Sequence, residues 1–317
     1  MVENTNPFSL WQTVRKVLPK PSISLANVNV ATSFEDKAQV LRQIFFPDNG
    51  SPPQHQPLYS LDGFHTITQE EVLKALEAIL PNSAPGDNTL PSLTWIRLHK
   101  ICPDILTNMT DWSLHNRTLP TILKRVLTMV IPKPGKPDYS VPKAYQMMSL
   151  LPTLSKTIAH VALARMTVFA PNSLSLLQFA CRKGYFPLDA VHLILEKVHK
   201  ASNNKLCSSA LFLDVQGTFD KVLHQWLAEI MTTNNFPPYL VDWIQSYLSD
   251  RSVQITDGAA SKPCFTLIQV GIPQGSPLSI FLFNIYSSPL CNNHQRLGVD
   301  LMVSYVDDYY LLAISVS

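Results

Sequence analysis

Two apolar runs of strand length, Val299 to Val306 and Tyr309 to Val316, flank a pair of adjacent aspartates, Asp307 and Asp308. β-Branched and aromatic residues crowd both runs, which predicts a β-hairpin with the carboxylates at its tip. Such a tip is costly, because tight hairpin turns favour Asn-Gly or Asp-Gly and neighbouring like charges repel. Something cationic has to compensate. Another acid closes the apolar run Ala210-Leu-Phe-Leu-Asp214, after which Gly217-Thr-Phe-Asp220 leads into a helix expected over Thr218 to Thr233. An acid at a strand end, followed by a turn and a helix, stands where clefts form. With the hairpin beside that strand, Asp214, Asp307 and Asp308 converge, and three carboxylates there remain ionised only around divalent metal. Oxygen ligands with room for a substrate phosphate favour Mg²⁺ or Mn²⁺. Taken alone, Asp307 and Asp308 also read as an ordinary solvated turn.

The 317 residues, 46% of them hydrophobic, can bury one large core or two smaller ones. A net charge of +2 conceals an uneven distribution: Thr121 to Leu188 holds nine Lys or Arg and a single acid, Asp138. A basic stretch combined with an acidic metal site suits a protein that grips a nucleic-acid backbone, although a solvated basic face is the plainer alternative. The five cysteines, Cys102, Cys181, Cys207, Cys264 and Cys291, are too scattered for a zinc pattern or a disulfide framework, and imply a reducing compartment. The amino terminus has no apolar signal core, and the run Leu301 to Val316 is short for a membrane span and interrupted by two aspartates. A soluble chain in the nucleus or cytoplasm is expected, without a membrane partner.

Residues 1–60 read as a peripheral arm, a helix over Phe34 to Phe46 and a Pro-rich linker from Pro47 to Pro57. A capping box at Thr68-Gln-Glu-Glu71 starts a helix that Pro81 ends. One or two helices follow over Leu93 to Leu114, divided at Pro103, then a strand over Val126 to Ile131 and a helix over Leu188 to Lys200. Pro237 to Asp250 has helical spacing, which assigns Trp243, Ile244, Tyr247 and Leu248 to the core rather than to a base-stacking platform. Val253 to Thr256 and Cys264 to Val270 form a hairpin about Asp257-Gly258, and a further helix covers Phe281 to Cys291.

Between the two acidic segments lies Gly271-Ile-Pro-Gln-Gly-Ser-Pro-Leu-Ser279. Its glycines admit close backbone approach and Gln274 offers an amide that donates and accepts. In this order the three blocks resemble a reverse transcriptase, in wording similar to that of retrotransposons lacking long terminal repeats. Asn82-Ser-Ala-Pro-Gly-Asp87, Lys133-Pro-Gly-Lys-Pro-Asp138, Ser149-Leu-Leu-Pro-Thr-Leu-Ser-Lys156 and the block from Phe236 to Arg251 extend the similarity over roughly residues 60 to 317. The last block separates the chain from intron-encoded maturases and telomerase-like enzymes.

The resemblance implies an α+β fold: the fingers and partial palm of a right-hand polymerase, with an antiparallel sheet backed by helices and the thumb missing. Residues 61–205 correspond to a fingers-like region and 206–317 to the partial palm. It implies RNA-directed DNA polymerase activity by two-metal nucleotidyl transfer, with two Mg²⁺ (or Mn²⁺) ions on Asp214, Asp307 and Asp308. The implied partners are an RNA template, a DNA primer and deoxynucleoside triphosphates. Phe219 matches the family's steric gate against a ribose 2′-hydroxyl, Gln274 and Gly275 its nucleotide loop, Lys133 and Lys136 a turn that closes over the triphosphate, and Arg182 and Lys183 contacts to nucleic acid. Two departures stand out. Gln146, in Tyr145-Gln-Met-Met-Ser-Leu-Leu151, replaces a phosphate-binding arginine, and a neutral amide cannot reproduce a bidentate guanidinium. The segment after Gly184 is apolar where the family carries hydroxyls. The second reading is therefore an inactive relic, at most a nucleic-acid-binding module.

Overall fold

The computed structural model describes residues 63–316 except 82, 87–89, 216 and 257–264, together with residues 36, 37, 39, 40 and 43. The expected amino-terminal arm and linker lie outside these residues, apart from 36, 37, 39, 40 and 43, which are helical.

Helix α1 (Gln69–Glu77) starts at the expected capping box: Thr68 Oγ1 accepts from the Glu71 amide and the Glu71 carboxylate accepts from the Thr68 amide. Helices α2 (Ser92–Ile101) and α3 (Pro103–His115) meet at Cys102, where Pro103 opens the second helix in a position whose missing N–H costs nothing. Strands β1 (Arg125–Pro132) and β2 (Tyr145–Leu150) alternate inward and outward residues and pair antiparallel. Helix α4 (Thr153–Met166) buries Leu154, Ile158, Ala159, Ala162 and Met166, and lacks a wide polar face because the core surrounds it.

The amphipathic α5 (Pro187–Asn203) leads into β3 (Leu206–Asp214), followed by α6 (His224–Thr233) and α7 (Pro238–Leu248). Trp243 and Tyr247 are fully buried in α7 and stack at 5.2 Å, in keeping with their assignment to the core. Strands β4 (Arg251–Thr256) and β5 (Thr266–Ile268), helix α8 (Ser279–Asn292), and strands β6 (Leu301–Tyr305) and β7 (Asp308–Val316) complete the described chain. The turn expected at Asp257-Gly258 lies outside the described residues.

Two sheets result, backed by helices. One has the order β2-β1-β4-β5, with β1 and β4 parallel, so it is mixed and takes strands from both sides of residue 205. The other, β3-β7-β6, is wholly antiparallel. The main core joins α1, α4, α6, α7 and α8, and a smaller cluster packs α5 onto the second sheet through Ala190, Leu301, Val303, Tyr310 and Leu312.

Two expectations are corrected. The helix expected from Thr218 begins only at His224, because the Phe219 and Val222 carbonyls accept from the amides of Ile272 and Gly271 instead of closing helical turns. The hairpin tip consists of Val306 and Asp307, whereas Asp308 opens β7 opposite Tyr305. Among the described residues no helix is long and apolar enough to cross a membrane.

Candidate active site

The β3–β7 ladder runs in unbroken register from Leu206 opposite Val316 to Asp214 opposite Asp308. Directly opposed residues of an antiparallel pair share a face, with Cβ atoms roughly 5 Å apart. The second sheet thus places the two carboxyl groups, 94 positions apart in sequence, side by side. Asp307 completes the group from the turn: its carbonyl accepts from the Val215 amide at 3.1 Å, and its Oδ2 lies 3.5 Å from the Thr218 hydroxyl, which also donates to the Val215 carbonyl. Asp214 and Asp308 are exposed and Asp307 half-buried. Among the described residues no three His, Cys, Asp or Glu side chains already close around one point. The donors are nonetheless all carboxylate oxygens, the set that hard divalent cations prefer.

The turn itself is strained. Val306 has φ 56°, a left-handed conformation that β-branched residues avoid, and it closes the two-residue turn that joins β6 to β7. Gln178 secures it. This fully buried side chain accepts from the Val306 amide at 3.2 Å and from the Ala180 amide at 3.0 Å, while its main chain bridges Ser304 of β6. Sequence reasoning missed Gln178; the signal was one amide set in the otherwise apolar Leu176-Leu-Gln-Phe-Ala180.

The loop Gly271 to Ser279 is fastened from three directions. Its Gly271 and Ile272 amides reach Val222 and Phe219, the Gln274 carbonyl accepts from the Ser149 amide of β2 at 2.9 Å, and Ser276 receives the Tyr247 hydroxyl at 2.7 Å. Arg251, buried at the start of β4, donates to the carbonyls of Leu248, Val270 and Gly271. Burial lowers its pKa to about 10, so it remains a guanidinium at neutral pH. Burial also pushes Asp220 up to about 6 and His224, which bonds the Gly271 carbonyl, down to about 4.

Phe219, Gln274 and Gly275 line one cleft of about 480 Å³, together with Ser83, Lys156 and His160. Phe219 is held edge-on to Phe283 of α8, with ring centroids 5.9 Å apart. Two of the expected nucleotide contacts are elsewhere: Lys133 and Lys136 stand exposed on the β1–β2 connection and do not line the cleft. Arg182 is occupied within its own loop, donating to the Ser175 and Gln178 carbonyls and covering the Tyr185 ring at 4.0 Å. Lys183 is exposed. Gln146 is exposed on β2 opposite Ile131.

Comparison with known proteins gives this arrangement a lineage. The sequence pattern of the family described as "Reverse transcriptase (RNA-dependent DNA polymerase)" matches residues 131–316. The chain is 28% identical over 253 residues to a "Probable RNA-directed DNA polymerase from transposon BS" of Drosophila melanogaster, covering 78% of this chain and 28% of that protein. It is 27% identical over 336 residues to the "RNA-directed DNA polymerase from mobile element jockey" of the same species, covering 98% of this chain and 36% of the relative. A "Retrovirus-related Pol polyprotein from type-1 retrotransposable element R2" of Popillia japonica is 24% identical over 264 residues, 78% of this chain and 35% of its own length. The chain thus spans about a third of the length of the curated relatives it matches. With the family pattern covering both acidic segments and the loop between them, the chain belongs to the reverse transcriptase (RNA-dependent DNA polymerase) family.

Proposed function

We propose that the chain is the nucleotidyl-transfer domain of an RNA-directed DNA polymerase from a retrotransposon without long terminal repeats. The observation that carries this reading is the register of β3 against β7, which sets Asp214 opposite Asp308 with Asp307 adjacent. Residues 61–205 act as fingers and 206–317 as part of a palm. Asp214, Asp307 and Asp308 would hold two divalent ions, which would supply Lewis acidity toward a primer 3′-hydroxyl and a leaving pyrophosphate.

The chain's own residues do the positioning. Phe219, braced by Phe283, would set its ring against the ribose 2′ position of the incoming nucleotide and so act as a steric gate. Gln274 offers its side-chain amide to the incoming deoxynucleotide, while the Ser149 contact holds its main chain. Gly275 lets the backbone approach. Lys133 and Lys136 reach the triphosphate only if their exposed turn moves inward, and Lys183 contributes charge toward the nucleic-acid backbone.

A relic without activity is the competing reading, favoured by the exposed Gln146 where the resemblance has arginine. Primer extension by purified protein on a primed RNA template with Mg²⁺ separates the two. Wild type is expected to extend the primer and Asp307→Ala to fall below detection. No extension by wild type, with extension restored by Gln146→Arg, establishes the relic, and none by either protein overturns the polymerase reading.

A further inference from the structure

One buried polar side chain behind the carboxylates is not explained by packing. Gln178 sits in the otherwise apolar segment Leu176 to Ala180 and has no exposed surface. Its Oε1 accepts from the main-chain amides of Ala180 and Val306, and because both partners are donors the oxygen has to face them. The Nε2 group is then left buried with no hydrogen-bond partner among the described residues. An unpaired buried amide donor is destabilising, and methionine would fill a similar volume without that cost. What glutamine supplies here that an apolar side chain cannot is its oxygen.

The segment that carries Gln178 is fixed by contacts that do not involve this side chain. The Ser175 amide donates to Ser288 Oγ and the Ala180 carbonyl accepts from Asn284 Nδ2, both at 2.9 Å and both from α8. Leu177 and Phe179 exchange main-chain hydrogen bonds with Ser304 of β6. Oε1 therefore stands at a set point against the turn. Of the two turn residues only Val306 has a positive φ, the conformation its β-branched side chain disfavours. If Val306 relaxed to negative φ, the next peptide would swing and carry the Asp307 carboxylate away from Asp214 and Asp308.

We propose that Gln178 is a positioning residue for divalent-metal binding: by holding Val306 in the left-handed region, its side-chain oxygen sets where the Asp307 carboxylate stands. This inference rests on the polymerase reading, in which Asp214, Asp307 and Asp308 hold the ions. Gln178 touches neither metal nor substrate and acts only through the turn. Because its segment is fastened to α8, which follows the Gly271 to Ser279 loop, the same contact ties the placement of Asp307 to the helix behind the nucleotide loop.

Titration of the full chain with Mn²⁺, followed by the electron paramagnetic resonance signal of the free ion, provides the test without requiring activity. Wild type is expected to bind, and Asp307→Ala to lose that binding. Gln178→Met should bind roughly tenfold more weakly, the scale of one lost hydrogen bond. Glycine adopts positive φ without steric cost, so adding Val306→Gly to Gln178→Met should return the affinity to within about threefold of wild type. A glutamine that merely supports the core would not be rescued by a change in the turn. Wild-type affinity in Gln178→Met, or a loss that Val306→Gly leaves in place, overturns the proposal while the polymerase reading stands. Where Gln178→Met alone does not fold, the double variant decides: folding with near wild-type affinity supports the proposal, and failure to fold or bind overturns it. A wild type that does not bind Mn²⁺, or binds it as well after Asp307→Ala, overturns both.

Discussion

Gly275 is a position where a single methyl group decides the geometry of the nucleotide loop. Its φ is +112°, and a Cβ there would stand 2.6 Å from the Ser149 carbonyl oxygen of β2. Gly271 meets the same limit against the Asp220 carbonyl oxygen, also at 2.6 Å with φ +79°. In both places the obstruction is backbone, which cannot rotate away. Gly275→Ala therefore has to displace either β2 or the loop, at a cost of about 1–3 kcal/mol in backbone strain. The expected outcome is a lower melting temperature together with a raised deoxynucleotide KM, because Gln274 is the residue directly before it. A Gly275→Ala chain with wild-type melting and KM would show that the loop is not pressed onto β2. Val306 presents the opposite case, a strained residue kept in place by its neighbours: its positive φ persists because Gln178 takes its amide.

The loop from Phe219 to Leu223 shows where periodicity alone stops being informative. The strand over Val126 to Ile131, the capping box at Thr68 and the break at Pro103 follow from local chemistry and lie where the sequence places them. Phe219 to Leu223 has helical spacing as well, but its carbonyls are taken by amides some fifty residues away, a tertiary claim no local pattern contains. The same holds for Arg251, whose role comes from standing buried among the carbonyls of Leu248, Val270 and Gly271, which composition does not reveal. The junction around Arg251 also has an unusual pH response. Burial raises Asp220 to about 6, so the folded chain holds that proton more tightly than the unfolded chain, and stability falls as pH rises from about 4 to about 6. Burial lowers His224 to about 4, so its protonation favours unfolding, and stability falls as pH drops from about 6.5 to about 4. The two slopes oppose each other and leave the wild type nearly flat in this window. Asp220→Asn should expose the histidine slope, with stability rising toward neutral pH by at most about 3 kcal/mol, and His224→Gln the reverse slope of similar size. Denaturant melts of the three proteins at pH 4 and pH 7 check this, and parallel profiles for the two variants would contradict it.

For the molecule as a whole, the feature that matters is the free side of β3. The apolar run Ala210 to Leu213 reads as a strand and is one, but such runs usually belong to strands covered on both faces, and the sequence does not say whether cover exists. In the order β3-β7-β6, β3 pairs on one side only among the described residues, and Leu211 and Leu213 are 53% and 43% exposed. An edge strand with open main-chain donors and acceptors and two bare leucines is a template for pairing with another copy. The chain is therefore expected to associate in a concentration-dependent manner in sedimentation velocity. Leu211 is three residues from Asp214, so the two side chains leave the strand on opposite faces, and a charge at Leu211 does not touch the carboxylate group. Leu211→Lys should shift the sedimentation profile toward monomer and leave primed-template binding within about twofold of wild type, since surface substitutions away from such sites change stability by about 0.5 kcal/mol or less. A wild-type chain that stays monodisperse across the concentration range would mean that this edge is protected in solution, and a Leu211→Lys chain that associates as before would place the sticky surface elsewhere.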